Sequence, residues 1–214
     1  MNSHLFVRKV RRNLEDYGWR ITLTKSLAYV FQAFYAHQVY RIYRIDLTKP
    51  RRPAEFDRPG LTFKILDPDD HQAISQIETA HEWLQGGLKE SIQGGAICLA
   101  ALQGEQVAGF NLIGFGTVFM PLVNKKRLFR KGDAWSEQIA VMKQFRNIGL
   151  ASDLRYRIFE ELGRRGFERL YGGALTSNIG SLQLARKVGF REILDIHYYR
   201  ILGRDFWRHQ KVKP

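Results

Sequence analysis

The sequence predicts a mixed α/β sheet domain. Strand-like runs alternate with helix-period runs from residue 61 onward. A hairpin pattern centred on Gly104 interrupts that alternation. The run 134–141 then reads as a strand that passes through a glycine-containing turn into a long helix. The 214 residues suffice for one full core, or for one domain with an appendage. A hydrophobic content of 44% and a charged content of 26% are those of a globular chain.

The first 60 residues read as a basic arm. Residues 3–17 space Leu5, Phe6, Val10 and Leu14 about one helical turn apart, and Gly18 ends the helix. A second helix is expected from Thr24 to about Ala36, and VYRIYRIDL (39–47) alternates like a strand. Its Val39, Arg41, Tyr43, Ile45 and Leu47 share a face. TKPRRPAEFDRPG (48–60) breaks both patterns and marks the boundary with a domain over 61–203. Residues 204–214 read as a basic tail.

Within the domain, 61–68 is a strand and 69–80 a helix with Asp69 or Asp70 near its start. Residues 81–93 are helical but interrupted by Gly86 and Gly87. The hairpin pairs 96–103 with 107–119. NKKRLFRKGD (124–133) is a basic loop carrying Lys125, Lys126, Arg127, Arg130 and Lys131. A helix from Phe145 to about Gly163 buries Ala151, Leu154, Ile158 and Leu162. A strand at 167–175, a helix at 178–189 and a strand or strand pair at 190–203 complete the domain.

The net charge is +13, with basic ends around a mildly acidic middle. Residues 1–60 hold 12 basic and 5 acidic side chains, residues 61–123 hold 2 and 7, and residues 124–214 hold 20 and 9. Such a field favours phosphates, anionic lipid surfaces or nucleic acid. No aromatic platform or groove-reading motif accompanies the charge, so no specific nucleic acid is expected. No 18-residue apolar run is present, and MNSHLFVRKVRRN has neither an apolar core nor a cleavage site, so a cytoplasmic protein is expected. The lone Cys98 reads as a small core residue, in keeping with a reducing compartment. The six histidines show no ligand spacing, and no metal is expected.

QFRNIGLAS (144–152) is the most informative stretch. The first amides of a helix have no partners within it, and its dipole adds positive charge, so the turn is built for an anion. Small residues at 149, 151 and 152 let a diphosphate approach the backbone. The turn lacks the Gly-Lys-Ser/Thr of a phosphate-binding P-loop and the full GxGxxG of a dinucleotide site. An ordinary helix start with a tight-packing glycine explains the turn alone equally well.

EQIAVMKQFRNIGLAS, with Val141 ending a strand and Gln144, Arg146, Asn147, Gly149 and Ala151 in the turn, resembles the acetyl-CoA motif of the GNAT N-acetyltransferases. NIGSLQLARKVGF resembles their second signature through Asn178, Ser181, Leu184, Gly189 and Phe190. The resemblance covers about 61–203. It implies a mostly antiparallel sheet, splayed at its centre and flanked by helices. It further implies acetyl-CoA as acyl donor, held by Ile139, Val141, Gln144, Arg146, Asn147, Ile148, Gly149, Leu150, Ala151, Ser152, Asn178 and Ser181. Pantetheine would lie between strands 136–141 and 167–175, beside Gly172 and Gly173, which read otherwise as a bulge. Asn178 reads equally as a helix N-cap.

Glu137, four residues before Val141, matches a proposed base of polyamine acetyltransferases in the family. Alternation puts it on one face with Trp135, Ile139 and Val141, where apolar neighbours raise its pKa. The bland alternative is a strand glutamate paired with Arg200 or Lys131. The family's tyrosine acid is replaced by Ala185. Tyr198, Tyr199 or His197 could substitute for it, although each reads more simply as a strand side chain, and solvent can also protonate the thiolate.

The resemblance places one acceptor wall at about 69–92, whose Asp69, Asp70, Glu78, Glu82 and Glu90 favour a cationic amine on a small molecule or peptide. The arm is expected to pack on the sheet. An anionic membrane surface and a homodimer contact are the other readings of residues 1–60. The competing functions are transfer of a longer acyl chain, a hydroxyl acceptor, and a coenzyme A-binding module of little catalysis, which Ala185 favours.

Overall fold

A computed structural model describes residues 35–49, 59–81, 84 and 87–212. The helix expected at 3–17, that expected at 24–36 up to residue 34, and most of the linker lie outside them. So do Glu82, Trp83 and Gly86.

The strands, in chain order, are β1 Tyr35–Asp46, β2 Thr62–Leu66, β3 Ile97–Gln103, β4 Gln106–Gly114, β5 Thr117–Met120, β6 Lys125–Leu128, β7 Asp133–Val141, β8 Arg169–Leu175, β9 Arg191–Ile201 and β10 Arg204–Lys211. The helices are α1 His71–Ala80, α2 Leu88–Gln93, α3 Leu150–Arg164 and α4 Ile179–Lys187. Eight strands form one sheet in the order β10-β9-β1-β8-β7-β4-β3-β2, and β5 pairs with β6 as a separate ribbon. Every pairing is antiparallel except that of β7 with β8. The mixed, mostly antiparallel class expected from the sequence is the one observed.

Helices α3 and α4 pack on one face, where Leu150, Leu154, Ile158, Leu162, Leu182 and Ala185 meet Ile45, Leu99, Ile113 and Leu170. Helices α1 and α2 cover part of the other through Ile74, Ile77, Leu88 and Ile92 against Phe110 and Leu112. The rest of that second face is closed by the ribbon, with Val118, Met120 and Val123 over Tyr40, Trp135 and Tyr198.

Three expectations change. The strand expected at 39–47 starts at Tyr35, so the expected helix does not extend to Ala36, and it belongs to the sheet rather than to an appendage. It hydrogen-bonds to β8 on one side and β9 on the other. It is buried on both faces, by Tyr43 and Ile45 on the α3 side and by Tyr40 and Ile42 on the opposite side. Arg41 fixes the β9 contact through two 2.7 Å bonds to Asp195 and one to Glu192. The second hairpin strand stops at Gly114, since Gly116 turns the chain with φ +64°, and part of the expected basic loop becomes β6. The expected tail forms β10, paired along β9 through a turn at Leu202 and Gly203.

Gly172 and Gly173 are explained by β1. A Cβ on Gly172 would lie 2.5 Å from the Tyr43 ring, and one on Gly173 would lie 2.3 Å from that of Tyr40. The two glycines are shallow seats for two rings, one on each face of the sheet. Both rings are core residues and cannot swing into solvent. Gly173→Ala is therefore expected to lower the unfolding free energy by about 1–3 kcal/mol, read by urea denaturation. Truncation of the opposing ring in a Tyr40→Ala, Gly173→Ala pair should recover part of that loss, a coupling that independent sites would not show.

Candidate active site

The centre of the sheet is a fork. β7 and β8 pair at Asp133–Arg169, Ala134–Leu170 and Trp135–Tyr171, and then diverge. An ion pair between Arg169 Nε and Asp133, 2.6 Å apart, closes the base of the paired region. Beyond it, β7 continues to Val141 along β4, and β8 continues to Leu175 along β1. The facing edges, 136–141 and 172–175, are left without a strand partner among the described residues.

Because β7 and β8 are parallel, both arms of the fork run to the same open end, and each leads into a helix N-terminus. The two N-termini differ. At α4 the Asn178 side chain accepts from the Ser181 amide at 3.1 Å, the N-cap expected. At α3 the cap is Gly149, with φ +86° and no side-chain cap bond. Asn147 is also left-handed, at φ +64°. A turn with two left-handed residues rolls successive amides toward one side. The amides of Asn147, Ile148, Gly149, Leu150 and Ala151 donate to no acceptor among the described residues, whereas that of Ser152 bonds Gly149 O at 2.9 Å. Arg146 Nε donates to Val141 O at 3.1 Å and ties the turn to the end of the strand. Gln144, Arg146, Asn147 and Ile148 are exposed, while Leu150 and Ser152 are buried beneath the turn. Free amides, a positive dipole end and small residues at 149 and 151 fit a diphosphate.

Glu137 stands beside the fork at a bulge. The register between β4 and β7 steps from Leu112–Gln138 to Ile113–Ser136, which leaves Glu137 as the extra residue. Its Oε1 lies 2.1 Å from where a Cβ on Gly114 would be, so the carboxylate rests on bare backbone. Gly114 pairs with Trp135, so Glu137 shares Trp135's face. Ile139 and Val141 pack with the α3 cluster on the opposite face. The bulge thus overturns the single face expected for 135, 137, 139 and 141. No ion pair to Glu137 forms among the described residues, and Arg200 pairs with Asp205 instead. Glu137 is exposed to solvent at the bulge, yet desolvation by the backbone and side chains around its carboxylate raises its pKa above the usual range.

The candidate acids lie elsewhere. β9 is separated from β7 by β1 and β8. Tyr198 donates to Asp205 at 2.8 Å, and Tyr199 stacks on His37, with ring centroids 4.4 Å apart. Neither is brought to the fork. On the β8 arm the Tyr43 hydroxyl donates to Gly173 O at 3.4 Å. Sequence periodicity missed this residue because β1 was read as outside the domain. Sequence periodicity also missed Arg155, a helical arginine 3% exposed, which donates from Nη1 to Ser136 Oγ at 2.6 Å. Its spacing from Ala151 and Ile158, positions of the buried stripe, was the available signal.

The acidic wall is partly neutralised. Asp70 pairs with Lys64, and Glu78 accepts from the Leu88 amide at 3.0 Å. The basic run is partly packed, with Arg127 over the rings of Phe129 and Tyr171 and Lys125 over Trp207. Among the described residues no helix is long and apolar enough to cross a membrane.

The chain belongs to the acetyltransferase (GNAT) family, whose model matches residues 36–190 and so begins with β1. N-alpha-acetyltransferase MAK3 of Arabidopsis thaliana is 27% identical over 99 residues, which cover 46% of this chain and 50% of that protein. The chain therefore spans about half the length of the curated relative it matches. A GCN5-related N-acetyltransferase from Sphaerobacter thermophilus has a TM-score of 0.56 at 18% identity, covering 89% of this chain and 57% of its own. The glucosamine N-acetyltransferase region of a fungal multi-domain GH3 beta-N-acetylglucosaminidase has a TM-score of 0.61 at 13% identity, covering 86% and 23%. These two structures share the fold.

A carboxylate whose folded pKa is raised favours the protonated form. Its ionisation costs stability as pH rises through and above the unfolded value of about 4.3. Glu137→Gln should therefore raise the melting temperature at pH 7 to 8, and the gain should vanish near pH 4. Melting curves of both proteins across that range check this, and a pH-independent difference would refute the desolvation of the carboxylate.

Proposed function

We propose that the protein is an acetyl-CoA-dependent N-acetyltransferase acting on a primary amine in a ternary complex. The observation that carries this reading is the row of five unengaged amides at the uncapped start of α3, placed at the mouth of an open β fork. The diphosphate of the coenzyme sits on Asn147 to Ala151. Pantetheine then enters between β7 and β8 and takes up main-chain hydrogen bonds along 136–141. A thioester so placed lies alongside the bulge at Glu137.

An amine is mostly ammonium at neutral pH. Glu137, with its pKa raised, accepts its proton directly or through one water. The nitrogen attacks the thioester carbonyl, and an amide near Val141 stabilises the oxyanion. Collapse expels the thiolate, whose proton comes from solvent, since a thiol's pKa is only about 8.5. Positioning and electrostatics supply the rate, with no covalent acyl-enzyme.

Isothermal titration with coenzyme A and acetyl-CoA tests the cofactor step. Saturable binding with Kd in the micromolar range, about −8 kcal/mol, is expected. Gly149→Val, which puts a branched side chain at a left-handed position, should weaken it at least about tenfold. No heat at millimolar ligand would overturn the reading. With an amine acceptor, Glu137→Gln should lower kcat by about 10²–10⁴ while leaving the coenzyme Kd unchanged. Wild-type kcat/KM should rise with pH through the raised carboxylate pKa.

A further inference from the structure

The inside corner of the fork holds a buried positive charge without a counter-charge among the described residues. Arg155 is 3% exposed, and among the described residues its side chain makes one hydrogen bond, from Nη1 to the neutral Ser136 hydroxyl. Its planar group also lies over Phe190, 5.5 Å from the ring centroid. No carboxylate of the described residues lies within ion-pair distance, and Nε has no acceptor. Ser136 is the first β7 residue past the last β7–β8 pair, and Gly172, under the Tyr43 ring, is the first on β8. The charge thus sits where the two arms part.

A second unsatisfied donor belongs to the same cluster. Ser136 Oγ donates to Asn111 Oδ1 at 3.3 Å, and Asn111 is fully buried. Its Nδ2 has no partner among the described residues. Arg155 Nε and Asn111 Nδ2 are therefore two orphan donors bridged by a single serine. Buried guanidinium groups are ordinarily paired, because desolvating a charge is costly. A neutral thioester carbonyl would satisfy a donor but leave the charge uncompensated, whereas a carboxylate answers both.

We propose that Arg155, with Asn111 and Ser136, forms a pocket at the head of the fork that receives a small carboxylate carried by one of the reacting molecules. This inference rests on the coenzyme reading above and gives it a substrate class. The carboxylate has two possible carriers. A donor acyl chain ending in a carboxylate would run from the sulfur into the corner. Otherwise the amine acceptor bears the acid group.

The test uses calorimetry on the full chain. The donor arm compares coenzyme A, acetyl-CoA, malonyl-CoA and succinyl-CoA. The acceptor arm compares glutamate with glutamine in the presence of saturating acetyl-CoA. We expect one arm to show at least about tenfold tighter binding of the carboxylate-bearing ligand. Arg155→Met should abolish that ratio while coenzyme A still binds, and Arg155→Lys, which keeps the charge and loses the planar fork, should retain part of it. Arg155→Met should also melt no lower than the wild type, because it removes an uncompensated charge from an apolar site. Coenzyme A binding with no Arg155-dependent preference in either arm would overturn the pocket and leave the coenzyme reading standing. A large loss of stability in Arg155→Met, with ligand preferences unchanged, would also overturn it by making the arginine structural. Failure of every coenzyme A ester to bind would remove both readings.

Discussion

The parallel pairing of β7 with β8 ends after Trp135 and Tyr171, and each strand is deflected there by its own chemistry. On β7 the extra residue, Glu137, shifts the register against β4 and increases local twist. On β8 two glycines accept the rings of Tyr43 and Tyr40, which anchors that strand to β1. One strand leans toward β4 and the other toward β1, and a gap opens between them. Three residue pairs and the Arg169–Asp133 bridge hold the two halves of the sheet together at that point.

The gap sets what can bind there. Unpaired β edges inside a protein leave main-chain donors and acceptors that need partners, and an extended amide-containing ligand supplies them as a strand would. The parallel direction of β7 and β8 brings two helix N-termini to one end of the gap. At α3 five consecutive amides are free of acceptors among the described residues, whereas at α4 the Asn178 side chain takes the Ser181 amide.

The sequence made part of this legible. The turn before α3 could be read because its signals are local: a strand end, a glycine able to take a positive φ, and a helical period starting at once. Asn178 was equally local, and its cap is present. The fork was available only through family resemblance, since three parallel pairs between strands about 35 residues apart leave no periodicity. The Glu137 bulge reversed the alternation on which the shared face of 135, 137, 139 and 141 depended. β1 misled because a strand buried on both faces has no polar side to mark it as central, and its prolines lie just beyond its end. Arg155 was not singled out, because arginine is rarely fully buried and composition gives no sign of the exception.

The insertion of β1 between β8 and β9 also bears on Ala185. This position on α4, at which the resemblance led us to expect a tyrosine, is buried in the cluster that contains Tyr43 and Phe190. Those two rings meet edge to face at 4.9 Å, and Phe190 meets Phe159 of α3 at 5.6 Å. The aromatic volume of this layer is thus supplied from β1, from α3 and from the start of β9. A close-packed layer filled in that way favours a methyl on α4 over a further ring. The missing tyrosine is then a packing consequence of how the chain completes its sheet. It says nothing against the proposed coenzyme site, which rests on the main-chain amides of the turn before α3.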